Sequence, residues 1–164
     1  MLFRELRATD AEPVARLWRA CAAESGLVDP VFRPRASAAV YGERLGAQLD
    51  AAEILGWGAF TSVETAPMLI GYLTAEVRRA SIDWEQDDIL YILDVDVEPG
   101  FRGRGVAKSL VQLALANAAA LRIFRAELSW IANDPRATEV WTRLGFRPYL
   151  TRGWITLDPG GEQA

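Results

Sequence analysis

Val97-Glu98-Pro99-Gly100-Phe101-Arg102-Gly103-Arg104-Gly105-Val106-Ala107 joins a strand to a helix through three glycines. The strand, Ile89 to Val97, is the most strand-like run in the chain, and Pro99 ends it by removing a ladder donor. The helix is predicted from about Gly105 to Leu121 and is apolar nearly all round, as suits a helix lying flat against a sheet. A helix start leaves backbone N–H groups unpaired and carries partial positive charge, and glycines there let an anion approach closely. Arg102, Arg104 and Lys108 add charge, which makes the turn a candidate cradle for a pyrophosphate. A Walker A loop fits poorly, because Val106-Ala107 stands where Lys and then Ser or Thr are needed. A Rossmann turn fits poorly too, because Lys108 takes the place of its third small residue. A glycine-rich turn that merely reverses the chain is the plain alternative.

Upstream, Leu2 to Leu6 alternates as a first strand, and Thr9 to Pro13 opens a helix over about Ala11 to Ala23, with Gly26 past its end. Val14, Leu17, Trp18 and Cys21 form its apolar stripe. A second helix is predicted over about Ala36 to Ala52, weakened by Gly42 and Gly46, with Val40, Tyr41 and Leu45 available for packing. Ile54 to Val63 and Leu69 to Arg78 read as a hairpin joined by Glu64 to Pro67. In the loop Ala80 to Asp88, acids surround Trp84, and both a solvated surface and a cation-selecting rim fit that pattern. Downstream come a strand at Ile123 to Ile131 and a helix at about Pro135 to Leu144, opened by Asn133-Asp134-Pro135 and closed by Gly145. Phe146 to Leu157 supplies one or two further strands. The class is α/β with an antiparallel majority, in a single domain over residues 1–158, and residues 159–164 are too polar to pack.

Histidine is absent from all 164 residues, which removes Ser-His-Asp or Cys-His nucleophile activation and any imidazole base. Acid–base chemistry falls to carboxylates, Tyr, Lys or water. No metal is expected. Cys21 is alone, so there is no internal disulfide. The formal charge of −4, with both signs mixed along the chain, argues against nucleic-acid binding. No run approaches the ~20 apolar residues of a membrane span, and Met1 to Glu5 show no secretory pattern, so a cytoplasmic protein without membrane partners is expected.

The run from Val97 to Ala107 resembles the acetyltransferase pattern of the GCN5-related N-acetyltransferases (GNAT): a strand ending Val-x-Pro, then Arg-x-x-Gly-x-Gly/Ala opening a helix. A second motif follows in order, Asn133-Asp134-Pro135-Arg136-Ala137 and then Trp141-Thr142-Arg143-Leu144-Gly145-Phe146, similar to the family's Asn…Ala…Tyr…Leu-Gly-Phe segment. The resemblance implies the GNAT fold, a twisted, mostly antiparallel sheet of about six to seven strands with about four helices. It implies acetyl-CoA as co-substrate, held between two splayed parallel strands, here Ile89 to Val97 and Ile123 to Ile131. The backbone of Val95 and Val97 would hold pantetheine and the thioester carbonyl. Arg102, Gly103, Arg104, Gly105, Val106, Ala107 and Lys108 would hold the pyrophosphate, and Asn133 the pantetheine region. The implied reaction is direct attack of a primary amine of a small molecule or peptide on the thioester in a ternary complex.

Where the family carries its acid, a Tyr in the last helix, this chain has Trp141, whose indole N–H cannot protonate a thiolate. Three readings stay open: the thiolate leaves unaided, Tyr149 substitutes, or the chain binds acyl-CoA as a regulatory module with little transferase activity. For the base, alternation along Ile89 to Val97 sets Tyr91, Leu93, Val95 and Val97 on one face and Ile92, Asp94 and Asp96 on the other. Asp94 is the candidate base, and the competing reading is structural, an Asp paired to an Arg or sitting where the strand splays open. Glu76 and Glu127 are further candidates, and Tyr72, Tyr91, Trp130 and Trp154 read as packing residues. The terminal strands offer an edge on which a homodimer could form.

Overall fold

Five strands form one sheet in chain order: β1 (Leu2–Glu5), β2 (Leu55–Phe60), β3 (Leu69–Arg78), β4 (Ile89–Val97) and β5 (Ala126–Glu127), of which β3 and β4 are richest in Leu, Ile and Val. The computed structural model describes residues 1–62, 67–81, 83, 87–153 and 155. β1 to β4 pair antiparallel, and β4 pairs β5 in parallel. The helices are α1 (Ala11–Val28), α2 (Ala38–Asp50), α3 (Val106–Ala120) and α4 (Pro135–Arg143). No described helix is long and apolar enough to cross a membrane.

The sheet is the middle of three layers. On one face Trp57, Leu73, Leu90 and Ile92 pack with Val106, Leu110 and Val111 of α3. On the other, Phe60 and Tyr72 pack with Val14, Leu17 and Cys21 of α1 and Tyr41 and Leu45 of α2. α1, α2 and α3 therefore bury part of their surface against the sheet, and β2 and β3 bury both faces, which is why β3 reads as a nearly continuous apolar run.

The helix ends depart from expectation. α1 runs on to Val28, so Gly26 is a buried helical residue and not a terminator. Gly42 weakens α2 by propensity but serves packing, since a Cβ there would lie 3.2 Å from Cβ of Ala15 on α1. Ser37 starts α2 by accepting from the N–H of Val40 at 3.2 Å.

The sheet has five described strands, fewer than expected. The predicted strand over Ile123 to Ile131 shrinks to Ala126–Glu127, paired only as Leu90↔Ala126 and Tyr91↔Glu127. Beyond that point Trp130 donates its indole N–H to Thr138 Oγ1 on α4 at 3.0 Å, which ties the segment to the helix and away from β4. Trp130, read as a packing residue, thus has a polar anchor. No strand is formed by the described residues after Phe146, and the predicted link at Glu64 to Ala66, Trp84 with Glu85, Trp154 and residues 156–164 lie outside the described residues.

Candidate active site on strand β4

β4 carries a bulge. Thr74 pairs with Asp94 but the next residue, Ala75, pairs with Ile92, so Leu93 is extra and stands 39% exposed. A bulge reverses the alternation of the strand beyond it. This corrects the face assignment made from uniform alternation. Leu90 and Ile92 share the α3 side with Val95 and Val97, while Tyr91 falls on the other face with Asp94 and Asp96.

On that second face two carboxylates sit under α1 and α2. The Tyr41 hydroxyl of α2 donates to Asp94 Oδ2 at 3.1 Å, and the Tyr72 hydroxyl of β3 donates to Asp96 Oδ2 at 2.7 Å. Trp18 of α1 stacks on Tyr41, with ring centroids 4.0 Å apart and planes 10° from parallel. Burial pushes the Asp94 carboxyl above its ordinary range, against the Tyr41 hydrogen bond and the charge of Arg44. Burial, aided by the Asp94 charge, pushes Asp96 up to about 6, against the Tyr72 hydrogen bond. Burial also raises both phenols, and it raises the Cys21 thiol to about 12 with help from Asp96. Phenols and thiol therefore stay protonated near neutral pH, and the carboxylates are the groups of this cluster able to take a proton.

Asp96 gives a signed pH effect. An unfolded Asp titrates near ~3.9, and Asp96 near about 6 in the fold. Its folded value is raised, so its protonation stabilises the fold at low pH, and that contribution is lost as pH rises from about 4 through about 6. Asp96→Asn is expected to remove this dependence and to raise stability above pH 7 by about 2 to 3 kcal/mol, measured by thermal or urea unfolding across pH. An unchanged pH slope would sink the assignment. Thr74 Oγ1, buried on the same face, has no hydrogen-bond partner among the described residues. Thr74→Val is therefore expected to be neutral or stabilising by up to about 1 kcal/mol in a thermal melt.

The main chain of β4 opens on its other side. The Glu98 N–H donates to the Ile70 carbonyl at 2.9 Å, so Glu98 and Ile70 form a hydrogen-bonded pair. By antiparallel alternation Val97 and Val95, opposite Gly71 and Leu73, then point their N–H and C=O away from β3. β5 has already diverged there, and no described strand pairs with them. The result is an internal strand edge leading straight to the glycine-rich turn.

In that turn Gly103 (φ +73°) and Gly105 (φ +80°) adopt left-handed backbone that disfavours other residues. Beyond its chain neighbours, a Cβ at either would meet no protein atom within 4 Å, so this side of the turn is open. The first backbone bond into α3 is from Ser109 N–H to the Gly105 carbonyl, 3.0 Å. From Gly103 to Lys108, no N–H donates to a main-chain carbonyl among the described residues. Val106 is buried, Ala107 half-buried, and Arg104 and Lys108 are exposed.

Arg102 departs from the expected phosphate-facing position. Its Nε donates to the Val97 carbonyl at 2.9 Å, and its guanidinium grips Glu24 of α1 at 2.8 and 3.1 Å, with Nη2 3.6 Å from Cys21 Sγ. Nothing in the local sequence pairs Glu24 with Arg102, 78 positions away, and this contact escaped sequence reasoning. Tyr41 escaped it too, since it sits on the apolar stripe of α2 and read as packing.

Asn133 is exposed just ahead of α4, where Asp134 caps the helix by accepting from Arg136 N–H at 2.9 Å and Ala137 N–H at 3.1 Å. Trp141 packs edge-on against Phe146, centroids 5.7 Å apart, at the rim of the α3-side core. Tyr149 is 64% exposed and donates to Glu127 Oε2 at 2.5 Å, and that hydrogen bond holds its phenol above the ordinary value. Glu127 also pairs with Arg125 at 2.8 Å, and Glu76 with Arg78 at 2.7 Å, so neither is a free base. Tyr91, read as a core aromatic, is half-buried, with Arg78 over its ring and its hydroxyl 2.7 Å from Ser129 Oγ. In the charged loop Asp88 is held by Arg79 and the Ala80 N–H, so it does not stand free as a rim carboxylate.

Comparison with known proteins places this geometry. No curated protein matches the chain in sequence. Among solved structures, a tetramutant of the BH1408 protein from Bacillus halodurans superposes with a TM-score of 0.83 at 18% identity, covering 96% of this chain and 100% of that one. A GCN5-related N-acetyltransferase from Ralstonia eutropha gives 0.70 at 23% identity, over 94% and 97%. AAC(6')-Iy in complex with the bisubstrate analog CoA-S-monomethyl-acetylneamine gives 0.69 at 18%, over 96% and 97%. These likenesses establish the fold. The family model described as "Acetyltransferase (GNAT) family" matches residues 16–146, a span that takes in β4, the glycine-rich turn and α4, and the chain belongs to that family.

Proposed function

We propose that the protein transfers the acetyl group of acetyl-CoA to a primary amine of a small molecule or peptide, by direct attack within a ternary complex. The observation that carries this reading is the open edge at Val95 and the Val97 N–H running into the unpaired N–H groups from Gly103 to Lys108. An edge of that kind suits the amides of a pantetheine arm, as an added strand would. The helix start suits a pyrophosphate, with Arg104 and Lys108 supplying charge. Asn133, exposed ahead of α4, is the residue this reading assigns to the pantetheine region.

Asp94 is the proton acceptor in this scheme. Its raised carboxyl makes it a stronger base than an exposed Asp. The Tyr41 hydroxyl fixes its orientation. Outward N–H groups of β4 can support the carbonyl oxygen as charge develops. For the leaving group, Trp141 offers no acid and the Tyr149 hydroxyl is engaged as a hydrogen-bond donor to Glu127, so the thiolate departs largely unaided. Tyr149→Phe is accordingly expected to change kcat by less than about tenfold, against the ~10² to 10⁴-fold of a dedicated acid.

Trp141 in place of a tyrosine supports one second reading, an acyl-CoA-binding regulatory module. Calorimetry with acetyl-CoA, paired with a thiol-release assay over a panel of amines, separates the two. Turnover on any amine supports the transferase, whereas tight binding with no turnover across the panel supports the module.

A further inference from the structure

Three cations stand at the glycine-rich turn, and they are not equivalent. Among the described residues no carboxylate pairs with Arg104 or Lys108, whereas both Nη atoms of Arg102 are on Glu24 and its Nε is on the Val97 carbonyl. A guanidinium with these directions taken has little left to offer a phosphate. From the turn after β4, its side chain joins the end of β4, at the Val97 carbonyl, to α1, at Glu24 and Cys21. The contact with Cys21 Sγ places the same side chain within one helical turn of Glu24 on α1, beside the Asp96 cluster.

We propose that Arg102 is a positioning residue, a strut between the turn and α1, and that Glu24 is its partner, while Arg104 and Lys108 provide the charge that meets a polyphosphate. This rests on the reading of the turn as the coenzyme A site. The strut fixes where the β4 edge stops, because the Val97 carbonyl is capped by Arg102 and the outward groups left for a ligand are those of Val95 and the Val97 N–H. It also seats α1, the helix over the Asp96 cluster, against the turn, so that the cofactor side and the carboxylate side of β4 move as one body.

The sign of one substitution separates a strut from a phosphate ligand. Glu24→Ala removes a negative charge close to the turn, and by Coulomb attraction alone an anionic ligand should bind more tightly. If Arg102 is a strut, binding weakens instead. We expect Glu24→Ala and Arg102→Gln each to weaken coenzyme A, measured by calorimetry, by about three- to tenfold, as suits a part-exposed ion pair with bidentate geometry. The double variant should be no weaker than the weaker single one. Arg102→Gln should keep the wild-type dependence of affinity on salt, and Arg104→Gln should flatten it. Unchanged or tighter binding in Glu24→Ala, additive losses in the double variant, or a flattened salt dependence in Arg102→Gln would each overturn the strut. Failure of the folded wild-type protein to bind coenzyme A would instead remove the reading of the turn on which the strut rests. Thermal melts of the same variants, run alongside, show that each is folded under the binding conditions.

Discussion

Asp94→Asn is expected to lower kcat/KM for the amine by about 10² to 10⁴-fold, the usual worth of a general base. Coenzyme A affinity should stay within about twofold, because Asp94 lies on the α1–α2 face of β4 and the open main-chain edge is formed by Val95 and Val97. Stability should not fall. Asn keeps an acceptor for the Tyr41 hydroxyl, and the substitution removes a charge whose burial already raises the Asp94 carboxyl. This combination distinguishes a base from a structural ion pair, whose loss would unfold the protein. Initial rates by thiol release, calorimetry with coenzyme A, and a thermal melt test the three parts. A variant within tenfold of wild type would remove Asp94 from the proton transfer and leave the competing structural reading.

Gly105→Val is expected to weaken coenzyme A binding by at least about 100-fold. The first effect of the substitution is conformational and does not itself weaken binding: Gly105 sits at φ +80°, and a β-branched residue held there costs about 1 to 3 kcal/mol. The second is steric exclusion of the ligand, since the space where a Cβ would go contains no protein atom within 4 Å. The first acts on the fold and the second on the complex alone. Melting temperature should therefore drop by only a few degrees while binding is lost, and Gly105→Ala should fall between. Binding by the valine variant within tenfold of wild type would show that the turn does not cradle the ligand.

How much of this could be read in the sequence depends on the range of the interaction responsible. The turn was legible because its requirements are local: glycine tolerates positive φ, and a helix start exposes N–H groups whatever lies around it. The helix start at Asp134 and the apolar stripe of α1 were legible for the same reason. Period alone could not show the bulge at Leu93, because an extra residue in a strand is defined only against its partner, here Thr74 and Ala75 of β3. That one residue moved Tyr91 onto the face of Asp94 and Asp96 and changed which side chains surround the candidate base. The short β5 had the same cause, since its departure from β4 accompanies a contact between Trp130 and Thr138 that no local pattern announces.

The glycine-rich turn is proposed as the anion cradle, and the positive-φ glycines and exposed helix start on which that proposal rests could be read from the sequence. Tertiary structure decided the division of labour within it. Arg102, Arg104 and Lys108 are alike as charges on a local stretch, and folding separates them by bringing Glu24 from 78 positions away onto Arg102 alone. In the same way burial, a property of the packed whole, lifts Asp94 and Asp96 out of the ordinary carboxylate range. Conformational preferences of residues are set over a few bonds and survive in the sequence, while charge partners and desolvation are set by neighbours that only the folded chain supplies.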